Sequence, residues 1–118
     1  RINDHFGHVC GDYILKELCR CIQRHIGEET LFGRVGGEEF AILTKITAAE
    51  QALKFAENLR KHVEQHGFQF ENRCIQVTVS IGVATGQYRT FDELYYIADL
   101  HLYEAKRAGK NCVYFKTA

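Results

Sequence analysis

Three observations predict an α+β fold. Helical periodicity recurs in three separate stretches, a Gly-Gly pair joins two short apolar runs, and a long apolar segment rich in β-branched residues lies between the second and third helices. Together they order the 118-residue chain as helix, strand, strand, helix, strand, helix, strand, which reads as helices packed on a sheet.

The first helix is expected from about His8 to His25, with Ile14, Leu18, Ile22 and Ile26 in one stripe. The second opens on a capping box, Thr47-Ala48-Ala49-Glu50. It turns Ala52, Ala56, Leu59 and Val63 to the core, and Gly67 closes it. Residues 74–84, CIQVTVSIGVA, form the long strand, preceded by a shorter one near Phe68 to Phe70. A second capping box, Thr90-Phe91-Asp92-Glu93, starts the third helix, which ends before Gly109, and Cys112 to Phe115 form a last strand. Tyr95, Tyr96 and Tyr103 read as packing residues. No proline, linker or repeat interrupts the order.

The stretch RVGGEEF, residues 34–40, is the most informative. Gly36 and Gly37 between apolar runs predict a two-residue hairpin loop, because the favoured turns need positive φ. That loop sets Val35 opposite Glu38 and Arg34 opposite Glu39. Glu39 is then supported by Arg34, while Glu38 stands at the tip on the other face. A solvated charged hairpin explains Glu39. A bare backbone tip also lets phosphate oxygens approach N–H groups, and a carboxylate beside it points to a metal carried in with phosphates.

Fifteen Lys and Arg balance fifteen Asp and Glu, so neither nucleic-acid binding nor contact with a membrane surface is implied. The five cysteines, at 10, 19, 21, 74 and 112, are odd in number and lack CxxC spacing. They read as reduced, mostly buried thiols of a cytoplasmic domain. His62 and His66 stand one helical turn apart with no third ligand evident, so an exposed face is favoured over a metal site. The chain opens on Arg1 and shows neither a signal peptide nor a membrane-length apolar run. Ferredoxin-like sheets run βαββαβ and need a strand before the first helix. Residues 1–118 are therefore expected to be a single domain, incomplete at its N-terminus, whose first central strand lies upstream.

Four blocks in order carry a family resemblance: INDHFGHVCGD at 2–12, GGEEF at 36–40, SIGVA at 80–84 and ADLHLYEAKRAGKN at 98–111. The chain resembles a GGDEF-family domain, the catalytic module of diguanylate cyclases, over nearly its whole length. The resemblance implies a nucleotidyl-cyclase-type fold. It also implies condensation of two GTP into cyclic di-GMP and pyrophosphate, by a homodimer of half-sites using Mg2+ or Mn2+ under an upstream sensory or regulatory domain. By the same resemblance Glu38 ligates the metal and acts in catalysis with Glu39 beside it. Gly36 and Gly37 admit the phosphates, Lys106 and Lys110 hold them, and Asp12 and Asn3 read the guanine edge. Accepting both guanine donors rejects adenine by leaving a carboxylate unpaired. Taken singly, Asp12 reads as a first-turn helix acid and Asn3 as a turn residue.

The chain departs from the family pattern at several points. The family's other metal-binding aspartate precedes the Asn-Asp run, ahead of this chain's first residue, so the isolated fragment is expected to be inactive. The Arg-x-x-Asp feedback motif is replaced by Gly27 and Thr30 in GEET, so feedback through that site is expected to be absent. Lys110 stands where arginine is common, and His101 where a small residue is usual. A non-catalytic GTP-binding regulatory module is the alternative reading.

Overall fold

The computed structural model describes residues 8–27, 30–36, 39–44, 48–86 and 88–116, and the chain divides into two compact units. The first comprises residues 1–45 with 65–77, the second 46–64 with 78–118.

In the first unit, helix α1 (His8–His25) buries Cys10, Ile14, Leu18, Cys21 and Ile22, the expected stripe widened by two thiols. Ile26 lies half-buried just past the helix end. No acidic residue occupies the first turn. Asp12 sits in the second, where the helix dipole gives a carboxylate little, so the first-turn reading of Asp12 does not hold. Strands β1 (Leu31–Gly36) and β2 (Glu39–Leu43) form an antiparallel hairpin. Strands β3 (Phe68–Phe70) and β4 (Arg73–Ile75) form a second. Helix α1 packs against β3, where the Tyr13 and Phe70 rings meet at 5.4 Å.

Helix α2 (Ala49–His66) buries Ala52, Ala56, Leu59 and Val63, the four residues its period predicts. Gly67 follows at φ 68, a left-handed helix stop that glycine adopts without strain. Thr47, the expected cap, lies outside the described residues.

In the second unit, β5 (Ile81–Gly82) runs parallel to β6 (Val113–Tyr114), with helix α3 (Phe91–Arg107) packed on both. The Thr90 hydroxyl accepts the Glu93 N–H at 3.2 Å. The Glu93 carboxylate reaches back to the Arg89 N–H at 3.2 Å, one residue earlier than a standard capping box. Gly82 explains how tightly the helix sits. A Cβ there would come within 2.1 Å of Leu102 N and 2.3 Å of Ala98 O, so only glycine permits this approach.

Three expectations are corrected. The long strand 74–84 appears as β4 and β5, and residues 76–80 between them join no ladder among the described residues. Burial still alternates, with Ile75 and Val77 inside and Gln76 and Thr78 outside. The apolar period thus specifies which side chains are buried, whereas a ladder also needs a hydrogen-bonding neighbour. Instead of one sheet, the described strands form three two-stranded ladders. Tyr96 and Tyr103 are each 61% exposed and so are not core residues, since α3 turns a different face to its strands.

Candidate active site

The hairpin register differs from the one the glycines predict. Leu31 pairs with Leu43, Phe32 with Ile42, Gly33 with Ala41 and Arg34 with Phe40. The register then slips at Val35, so that Gly36 faces Glu39. Val35 is an extra residue on β1, and a bulge of this kind sharpens the local bend and re-aims the residues beyond it. Gly36 is consequently a paired ladder residue and not part of a Gly36-Gly37 loop. Arg34 lies opposite Phe40, so the ladder does not set it opposite Glu39, and the expected cross-strand support is not provided by the register. Phe32 stacks on Phe40 at 5.5 Å, which stiffens the body of the hairpin behind its tip. Gly36 and Glu39 close the ladder, with Glu39 half-buried. Gly37 and Glu38 lie outside the described residues, as does Asn3. Asp12 is exposed on α1.

The second unit carries Lys106 and Lys110 on a well-defined helix end. Ala108 N–H bonds to Glu104 O at 2.9 Å, Gly109 N–H to Lys106 O at 3.4 Å and Lys110 N–H to Ala105 O at 3.1 Å. This is a Schellman ending with Gly109 at the left-handed position, φ 119. The motif fixes the path of the chain from one lysine to the other. Both side chains are exposed.

His101, unexplained in the sequence, has a clear structural account. Its Nδ1 lies 2.5 Å from the Val83 carbonyl oxygen, which can only accept, so this nitrogen carries the proton. Its ring lies 5.4 Å from Tyr114 and 6.0 Å from Phe115. It therefore ties α3 to the strand ends and belongs to the fold.

The sequence of the hairpin, residues 31–43, contains carboxylates and backbone carbonyls but no thiol or imidazole. This all-oxygen donor set suits a hard divalent cation such as Mg2+ or Mn2+. Elsewhere in the first unit, the Cys21 sulfur and a His66 ring nitrogen lie within 4.8 Å of each other, a proximity that His spacing alone does not reveal. No helix among the described residues is long and apolar enough to cross a membrane.

The helices and strand pairs define an α+β fold, with a hairpin whose sequence carries adjacent glycines and adjacent carboxylates. Residues 1–112 match the family described as Diguanylate cyclase, GGDEF domain, and the chain belongs to that family. It is 41% identical over 116 residues to a probable diguanylate cyclase, DgcF, of Escherichia coli, covering 93% of this chain and 25% of that protein. It is similar to the active GGEEF domain of a diguanylate cyclase from Vibrio cholerae, at 36% identity and TM-score 0.76, covering 98% of this chain and 76% of that one. It is also similar to the GGDEF domain of DgcB from Caulobacter crescentus, solved with c-di-GMP, at 29% identity and TM-score 0.83, covering 96% of this chain and 68% of that one. Against the curated full-length DgcF, the chain spans about a quarter of the length.

Proposed function

We propose that this chain is the catalytic domain of a diguanylate cyclase that condenses two GTP into cyclic di-GMP. Each ribose 3′-hydroxyl attacks the α-phosphorus of the other nucleotide. Two P–O bonds form, two break, two pyrophosphates leave and two protons are released. The observation that carries this reading is the GGEEF run at 36–40, set on a bulged hairpin whose described ladder ends at Gly36 and Glu39, within a chain that matches the family over residues 1–112.

In this reading Glu38 binds the divalent cation and, with Glu39, favours deprotonation of the attacking hydroxyl. Gly36 and Gly37 bring backbone N–H groups to the phosphates. Lys106 and Lys110 neutralise phosphate charge, and Asp12 with Asn3 accepts and donates to the guanine edge. The cation, when bound, supplies charge neutralisation for the leaving pyrophosphate. Each chain holds one GTP, so the active species is a homodimer of two half-sites, and an upstream sensory or regulatory domain controls dimerisation.

The half-site scheme is tested by a dilution series of the parent protein with GTP and Mg2+, following cyclic di-GMP and pyrophosphate by chromatography. The expected result is two pyrophosphates per cyclic product and a rate per chain that falls on dilution. A rate per chain that stays constant down to the monomeric range contradicts the scheme.

A further inference from the structure

Lys110 lies on an uncommon stretch of backbone just past the helix that carries Lys106. Gly109, Lys110 and Asn111 are consecutive residues with positive φ, at 119, 63 and 49°. Glycine takes such angles freely and asparagine tolerates them, but lysine is disfavoured there, so the turn persists only if its surroundings hold it.

What holds it is Asn111. Its carboxamide oxygen accepts from Arg60 Nη1 at 2.9 Å, and its Nδ2 donates to Glu64 Oε2 at 2.6 Å. Its backbone N–H donates to Ser80 Oγ at 3.1 Å. Arg60 and Glu64 stand one turn apart on α2, 3.4 Å from each other, and form a fork that matches the donor and the acceptor of one carboxamide. Arg60 is 13% exposed and is held in turn by an ion pair with Glu57. One residue further on, Cys112 O accepts from Ile81 N–H at 2.9 Å. The segment bearing Lys110 is thus pinned on one side by the Schellman ending and on the other by Asn111.

We infer that Arg60, Glu64 and Asn111 are positioning residues, which hold the Lys110 turn in the conformation that presents Lys106 and Lys110 to the phosphates of a nucleoside triphosphate. The inference rests on the phosphate-binding role proposed above for those lysines. A preset turn removes ordering cost that would otherwise be subtracted from binding energy. The three residues act on the phosphate part of the ligand alone.

That restriction separates positioning from general support of the fold. In the full-length parent protein, Asn111→Ala is expected to weaken binding of a non-hydrolysable GTP analogue roughly tenfold, while affinity for guanosine, which has no phosphate, stays within about twofold. Asn111→Asp keeps the acceptor for Arg60 but sets a carboxylate against Glu64, so it is expected to be at least as damaging. Glu64→Ala removes the acceptor for Nδ2 and weakens the analogue alone, and Glu64→Gln, which retains an acceptor oxygen, restores most of the loss. The Glu64 pair decides the matter should Asn111→Ala fail to fold. Equal losses for the analogue and guanosine would overturn the inference. So would unchanged analogue binding in Asn111→Ala while Lys110→Ala weakens it. If Lys106→Ala and Lys110→Ala both leave analogue binding unchanged, the phosphate role itself falls.

Discussion

Gly82 and Cys21 show how much individual positions decide. A methyl group at Gly82 would meet backbone atoms of α3 near 2 Å, which no side-chain rotation relieves. Gly82→Ala is therefore expected to destabilise the domain by about 1–3 kcal/mol, read as a lowered midpoint in chemical denaturation. Cys21 is 1% exposed. Burial pushes its thiol above the usual 9.0, against the opposing pull of Arg24. The folded chain holds that proton more tightly than the unfolded one, so this contribution to stability is intact below about pH 9 and is lost as pH rises beyond it. Cys74, which is exposed, is expected to alkylate first near neutral pH, with Cys10 and Cys21 protected until the fold opens. Mass spectrometry after timed iodoacetamide labelling reads the order directly, and early loss of Cys21 would contradict its burial.

At the scale of elements, Thr90 tests whether capping matters to α3. Its hydroxyl satisfies the Glu93 N–H, and Thr90→Ala is expected to cost about 1 kcal/mol with no change in the affinity for GTP. All three helices are legible in the sequence because burial of an amphipathic stripe follows from local spacing. Ile14, Leu18 and Ile22 on α1, and Ala52, Ala56, Leu59 and Val63 on α2, are buried as their period requires. The hairpin is legible as a hairpin, but its register is not. Gly36-Gly37 reads as the loop, whereas the slip at Val35 keeps Gly36 in the ladder opposite Glu39, because a bulge depends on backbone hydrogen bonding that residue types only weakly encode. The long strand fails for a related reason, since periodicity specifies a buried face and not a ladder partner. His101 and Asn111 illustrate the third kind of gap. Their partners lie 18 and 31 to 51 residues away, beyond the reach of local pattern.

At the scale of the whole molecule, the family assignment and the site residues have different sources. Four ordered blocks identify the family from sequence alone, because they combine a glycine turn, adjacent carboxylates and spaced lysines that a purely structural domain has no need to assemble. Of the proposed site, Glu39, Gly36, Asp12, Lys106 and Lys110 fall among the described residues, and the last two stand on a helix end whose geometry is fully accounted for. The central claim is that Glu38 serves a cyclase reaction. It is tested most directly by quantifying cyclic di-GMP formed from GTP and Mg2+ by the full-length parent protein, wild type against Glu38→Ala, with GTP and ATP binding measured in parallel. Product from the wild type that disappears in Glu38→Ala, at retained preference for GTP over ATP, is the predicted result. Absence of product from the wild type despite selective GTP binding would contradict the claim and leave a guanine-nucleotide-binding regulatory domain.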